Sequence, residues 1–318
     1  MLRDILPAPI VDLLTQSLGV SLRRPRGFSP PAGDTWIIYH FFRYTLAMRD
    51  EDARAFLAGG KPPKGFTYRH FTVPKKDGSD RQLVEPGYAL KAVQRRILRL
   101  LEARGVTNPA ALAFRKGRSI ADHAWTHAGA AIIITADIED FFLSTSHRRV
   151  REVFHSIGYV DDRAHYLTRL TTYRGSLPQG APTSPILSNL VNAEMDKQIA
   201  RRTSESGGRY TRYADDMAFS WPDRFRPPGD FEQTIRGILR EHGYRLHPRK
   251  GWRVWLRRDE PELTGLILTR RGGVDIPDSM KVIMRELEKG QSEDQAQRLS
   301  GYEGFRHMVQ ATRRRYRA

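Results

Sequence analysis

The apolar run AAIIITA, Ala130–Ala136, ends in Asp137. Such a run reads as a strand buried on both faces, and a carboxylate at its end is costly unless something neutralises it. A second acidic feature lies downstream. Asp215 and Asp216 sit at the tip of a short hairpin, RYTRY-ADD-MAFS, with two strands across Tyr210–Ser220. A hard divalent cation suits both places. Mg²⁺ takes one or two carboxylates and leaves its other positions to water and substrate phosphates. Two such ions together serve phosphoryl transfer. Each site alone also fits an ordinary reading, a solvated Asp after a strand and an acidic turn. Their occurrence together in a basic chain favours metal.

The charge balance narrows the partner. Lys and Arg total 53 against 36 Asp and Glu, a formal net charge of +17. A polyanion is expected, nucleic acid first and an anionic membrane surface second. There is no cysteine, which excludes disulfides, thiolate zinc sites and a thiol nucleophile. Apolar runs such as Ala130–Ile134 fall far short of the roughly 20 residues that span a bilayer. The opening MLRDILPAPIVDLLTQ carries Asp4, Asp12 and two prolines, so it is a poor secretion signal. A soluble, cytoplasmic protein without membrane association is expected. A chain of 318 residues allows about two domains.

Pattern along the chain predicts a mixed α+β body and a small helical C-terminal part, divided as 1–33, 34–277 and 278–318. Residues 1–33 combine a short amphipathic segment with a Pro/Gly/Arg-rich linker. Residues 34–58 read as helix and Gly59–Gly65 as loop. Tyr68–Val73 and Arg81–Val84 form a hairpin about KKDGSD. Helices are expected at Leu90–Arg104, Asn189–Arg202 and Phe231–Glu241, the last ended by Gly243. Leu263–Leu268 and Gly273–Ile276 read as a further hairpin. Two helices follow Pro277; the second carries Leu299, Tyr302, Phe305, Met308, Val309 and Tyr316 and runs into RRRYR.

YADD at Tyr213–Asp216, ADIEDFF at Ala136–Phe142 and LPQGAPTSPILSN at Leu177–Asn189 together resemble the palm of reverse transcriptases, in that family's order. The resemblance runs from Tyr68 to about Leu268. It implies a right-hand polymerase fold: fingers and palm built of antiparallel sheet plus helices, and a small helical thumb. It also implies Asp137 and Asp215 as metal ligands, aided by the Ile138 carbonyl, with Asp216 as the third acid. Two Mg²⁺ ions, or Mn²⁺ in their place, would be the cofactor. Phe142 would stand against the sugar C2′ and select dNTPs; a core Phe beside Phe141 is the competing reading. Gln179 and Gly180 would approach the incoming nucleotide. Lys75 and Arg81, on the hairpin, would offset its triphosphate charge, unless that hairpin is merely solvated. Lys250 would protonate leaving pyrophosphate, with Arg245 and Arg249 as rivals.

The sequence looks most like a retron reverse transcriptase. AFRKGRSIADHAWTHAG (Ala113–Gly129) resembles a retron segment whose core is Asn-Ala-x-x-His, with His123 standing at the first position. VFHSIGY (Val153–Tyr159) and Leu263-Thr264-Gly265 also resemble retron segments. The length beyond that hairpin suits a small thumb and leaves no room for RNase H, maturase, integrase or endonuclease domains. The resemblance implies a structured noncoding RNA as template and primer, a guanosine 2′-hydroxyl as starting point and a branched RNA–DNA product. It further implies anti-phage defence with an effector protein encoded nearby. His127, Thr264, Arg313, Arg314, Arg315 and Arg317 would touch RNA. A hydrogen-bonded helix position for His127 and a solvated tail for the arginines compete with that. A diversity-generating or template-free polymerase, and an RNA-binding scaffold restraining a toxin, are the alternative functions. The oligomeric state, including a homo-oligomer, is open.

Overall fold

The computed structural model describes residues 35–59, 62–74, 80–290 and 292–316. Residues 1–33, Lys75 and Arg317 lie outside the described residues. The elements run α1 (Thr35–His40), α2 (Asp50–Leu57), β1 (Tyr68–Pro74), β2 (Asp80–Pro86), α3 (Tyr88–Arg104), α4 (Ile120–His127), β3 (Ile132–Asp137), α5 (His147–Ser156) and α6 (Asp161–Thr171). Then come α7 (Ser184–Val191), α8 (Ala193–Glu205), β4 (Arg209–Tyr213), β5 (Asp216–Trp221), α9 (Phe231–Glu241), β6 (Arg253–Leu256), β7 (Glu262–Leu263), β8 (Leu266–Leu268), β9 (Val274–Asp275), α10 (Asp278–Glu288) and α11 (Glu293–Thr312). The class is α+β, with antiparallel sheets. β1 pairs with β2; a four-stranded sheet has the order β4-β5-β3-β6; β7-β8-β9 form a third sheet.

Alternation along β3 and β5 lets the central sheet serve two cores, because successive side chains leave a strand on opposite faces. Ile134 and its partner Phe219 face one side, packed with Ile138, Met195, Ile199, Ile235 and Leu239 from the flanking segments. Ile133 and Ala218 face the other, against Ala121, Ala124 and Trp125 of α4, Leu266 of β8 and Val309 of α11. Leu299, Tyr302, Phe305 and Met308 pack on that same cluster, so the apolar stripe read in the sequence is the buried face of α11. A third cluster gathers Phe42, Ile97, Leu101, Phe154, Leu167 and Leu170. Among the described residues no helix is long and apolar enough to cross a membrane.

Two helices expected as continuous are broken. The segment expected at 34–58 is interrupted after Thr45; Ala47 takes a left-handed φ of 48° before α2 begins. The segment expected at Asn189–Arg202 divides at Asn192. The Asn192 amide donates to the Ser188 carbonyl and the Tyr244 hydroxyl, and its oxygen accepts from Arg149. A side-chain amide that competes for backbone partners disfavours helix interiors. Strand β6 was not anticipated; it closes the sheet edge beside β3.

Candidate active site

Register brings the acids together. Asp137 lies directly opposite Asp216 in the β3–β5 ladder, and the Ile138 N–H donates to the Asp215 carbonyl at 3.0 Å. Tyr213 pairs with Asp216, so Ala214 and Asp215 alone form the link between β4 and β5. Ala214 holds φ 60° there, a left-handed value that favours glycine and stores strain. Burial raises the Asp137 carboxyl above the ordinary carboxylate value, and Asp215 raises it further; His247 and Lys250 oppose them. Asp216 is pushed up to about 7 by burial first, then by Asp215 and Asp137, with Lys250 opposing. Three mutually repelling carboxylates, two of them partly desolvated, form a hard-oxygen site that favours a cation.

The described residues hold no group of three His, Cys, Asp or Glu side chains arranged to grip a metal by themselves. Residues 73–268 match the family described as Reverse transcriptase (RNA-dependent DNA polymerase). The chain belongs to the reverse transcriptase family. Members of that family generally use divalent metal ions.

Its relatives are of the bacterial retron type. The retron Mx162 reverse transcriptase of Myxococcus xanthus is 32% identical over 281 residues, covering 76% of this chain and 58% of that one. The retron Ec86 reverse transcriptase of Escherichia coli is 40% identical over 157 residues, covering 49% of each chain. The chain spans roughly half to three fifths of the length of these curated relatives. Among solved structures, apo telomerase from Candida tropicalis shares the fold, with a TM-score of 0.52 at 12% identity over 79% of this chain and 54% of that one.

Of the residues expected at a nucleotide site, Gln179 and Gly180 lie against strand β2. The Val84 N–H of β2 donates to the Gln179 carbonyl at 2.8 Å. Gly180, at φ 116°, packs so that an added Cβ would come 3.2 Å from the Val84 carbonyl oxygen. The β1–β2 hairpin is thereby tied to the loop carrying Gln179. The Arg81 backbone pairs with Val73 on this hairpin. Phe142 is half-buried, edge-on to Phe141 at 5.4 Å between ring centroids. Lys250 is exposed on the turn after His247, close enough to oppose the charges of Asp137 and Asp216.

The residues expected on RNA are scattered. His127 is fully buried, with Nδ1 bonded to Ser220 Oγ at 2.7 Å and Nε2 to Thr211 Oγ1 at 2.7 Å. A direct RNA contact is therefore corrected to a core role: a ring enclosed by α4 and the β4–β5 hairpin cannot reach a polyanion. Thr264 is half-exposed in the link from β7 to β8, with φ 49° and its hydroxyl donating to the Leu263 carbonyl. Arg313 lies over the Trp125 ring at 5.7 Å. Arg315 donates to the Gly117 carbonyl at 3.0 Å and pairs with buried Asp122 at 3.1 Å, whereas Arg314 is exposed.

The sequence reading missed a buried clamp. Arg212 and Asp196 are both fully buried and paired at 2.6 Å. Arg212 also donates to the Ala214 carbonyl at 2.8 Å and to Asn189 Oδ1 at 3.2 Å, and Tyr210 donates to Asp196 at 2.8 Å. The guanidinium thus holds the strained link carrying Asp215. A signal existed: Asp196 stands between Met195 and Ile199 on the apolar face of α8, where an acid needs a counterion. His247 was missed too. Its N–H donates to the Asp137 carbonyl at 2.8 Å, and its Nδ1 accepts from the Lys250 N–H at 3.2 Å. It links the Lys250 turn to the strand that carries Asp137.

Proposed function

We propose that this chain is a Mg²⁺-dependent RNA-directed DNA polymerase that copies a cognate structured noncoding RNA. In this reading the β1–β2 hairpin belongs to the fingers, the four-stranded sheet is the palm and α10–α11 form the thumb. The carrying observation is the placement of Asp137 opposite Asp216, with Asp215 on the adjoining two-residue link. Bound there, two metal ions, Mg²⁺ or substituting Mn²⁺, would activate the attacking hydroxyl and stabilise charge on the leaving group. Asp137 and Asp215 would hold them with the Ile138 carbonyl, and Asp216 would complete the acidic set. Lys250 would donate a proton to pyrophosphate. Phe142 would close the space at C2′, while Gln179 and Gly180 would seat the nucleotide. Lys75 and Arg81 would fold toward its phosphates.

The relatives named above are retron reverse transcriptases, and that supports retron chemistry here. Synthesis would begin at a guanosine 2′-hydroxyl of the RNA and yield a branched RNA–DNA molecule, within an anti-phage system that includes an effector protein. Alignment of that hydroxyl beside the acids would supply much of the rate, since positioning contributes roughly 7–11 kcal/mol to such reactions. The net charge of +17 supports sequence-independent affinity for the RNA backbone, with Thr264 and Arg313–Arg315 as candidate contacts. The test is to incubate purified protein with the RNA encoded beside its gene, dNTPs and Mg²⁺, and to map the 5′ end of the DNA. A 2′,5′ linkage released only by a debranching enzyme is expected. A free DNA 5′ end would remove the retron chemistry and leave the polymerase, while absence of all incorporation would remove both.

A further inference from the structure

Phe114 has two properties that rarely occur together. Its backbone is left-handed, with φ 60°, where a bulky side chain is unusual, and 45% of its surface is exposed. Strained residues persist where their surroundings over-determine them, and they cluster at functional sites. Here the surroundings are rigid. Ala111 bridges to Arg212 in parallel. The Arg212 N–H donates to the Ala110 carbonyl, and the Leu112 N–H donates to the Arg212 carbonyl, each at 2.8 Å. The Asn189 amide donates to the Ala113 carbonyl at 2.8 Å. The buried network that holds the Asp215 link therefore also holds the residue immediately before Phe114.

That anchoring delivers the Phe114 ring to Phe142, with centroids 6.2 Å apart and planes inclined by 48°. On its other side Phe142 meets Phe141, which is buried and stacked on Tyr244 at 5.7 Å. Phe142 thus meets one buried ring and one exposed ring, and its inner side packs on the edges of two core clusters. Phe114 belongs to none of the core clusters formed by the described residues, so its packing against Phe142 is its main apolar contact with the site rather than a share in a core.

We propose that Phe114 is a positioning residue for sugar selection: it blocks the space into which the Phe142 ring would otherwise turn, and so keeps that ring against C2′. The inference rests on the reading of Phe142 as the sugar gate. Without the Phe114 ring, Phe142 can rotate away from the nucleotide and admit a 2′-hydroxyl. The backbone strain at 114 is the consequence of directing a side chain from this anchored segment toward Phe142.

The experiment compares kcat/KM for dNTP and rNTP on a DNA primer annealed to RNA, using the full chain and its Phe142→Ala, Phe114→Ala, Phe114→Leu and double Ala variants. Phe142→Ala should relax discrimination most. Phe114→Ala should relax it by roughly tenfold, a value in the range for lost apolar contacts in a pocket, through a lower KM for rNTP at nearly unchanged dNTP kcat. Phe114→Leu should fall between wild type and Phe114→Ala, and it carries the test alone if Phe114→Ala does not fold. The double variant should discriminate no worse than Phe142→Ala, because both act at one ring. Relaxed selectivity in Phe142→Ala with none in the Phe114 variants overturns this inference and leaves the gate standing. Unchanged selectivity in Phe142→Ala overturns the gate and the inference with it. Full additivity in the double variant shows that Phe114 does not act through Phe142 and overturns the proposal.

Discussion

The β4–β5 hairpin carries two titratable clusters, one half-buried and one buried, and they solve the same electrostatic problem in opposite ways. At its tip, Asp215 and Asp216 approach Asp137, and burial and mutual repulsion raise Asp137 and Asp216 together. Toward its far end, Thr211 and Ser220 receive His127, and Thr211 also bonds His123 at 2.6 Å. Burial lowers His123 to about 3 and places His127 well below the ordinary histidine value, so both rings stay neutral. Both ring nitrogens of His127 are satisfied by hydroxyls of the protein itself, whereas His123 bonds Thr211 through Nδ1 and its Nε2 has no partner among the described residues. Lys250 is the cation that opposes both acids, and it leaves the raised values in place. A buried group with internal partners marks structure, whereas a buried group still short of partners marks a place for something else.

The most severe break of this comparison is at the tip. Asp215→Asn or Asp137→Ala should take dNTP incorporation below detection while RNA affinity, held by distributed basic charge, changes little. Filter binding and primer extension on the same preparation check both halves. Near-normal incorporation would remove the metal role from the acids.

Next in size is the clamp between the two clusters. Arg212→Met leaves the Asp196 carboxylate buried without its counterion, and breaking such a pair costs about 3–5 kcal/mol. Urea unfolding should show that loss. A change below about 1 kcal/mol would mean that Asp196 finds a new partner and that the link at Ala214 does not depend on Arg212.

The clusters should also answer pH with opposite signs. Folded Asp216 keeps its proton up to about 7, whereas an unfolded Asp releases it near 4. Between those values the folded state binds more protons, so metal-free stability falls as pH rises, by up to about 4 kcal/mol. The histidines bind fewer protons folded than unfolded below about 6.5, so their contribution is complete above that pH and is lost as pH falls toward 3. Thermal melts of metal-free protein from pH 4 to 8 should show Asp216→Asn removing the fall in stability between about pH 4 and 7 and leaving only the rise contributed by the histidines. Mg²⁺ should stabilise more at pH 7 than at pH 5, because the proton must leave first. An unchanged slope in Asp216→Asn would erase the contrast.

The smallest effect sharpens the tip. Ala214→Gly relieves about 1–2 kcal/mol of left-handed strain and loses roughly 0.5–1 kcal/mol to added chain entropy. A net gain of at most about 1.5 kcal/mol is expected in unfolding, with a drop in incorporation of less than about tenfold as the link loosens. A loss of stability would show that the alanine is not strained there.

Much of this was readable in one dimension. The apolar run of β3, the turn chemistry around Ala214 and the stripe on α11 are local patterns, and each appears in the structure. Asp137, Asp215 and Asp216 stood out because a charge beside an apolar run is locally anomalous. Lys250 was legible as a residue, but its support by His247 was not. His127 was placed on RNA by resemblance, with a hydrogen-bonded helix position as the competing reading; the structure favours the latter, because Thr211 and Ser220, from strands far along the chain, take both ring nitrogens.

The sequence by itself determined which residues can form strands, where acids interrupt them, and that the chain carries a large excess of positive charge. Periodicity and composition act over a few residues, and these properties are of that range. Tertiary structure alone decided which charges are neutralised within the protein. Asp196 finds Arg212 and Asp122 finds Arg315, while Asp137 and Asp216 are brought face to face. Electrostatic energy depends on distance in space and on desolvation, and neither is a function of separation along the chain.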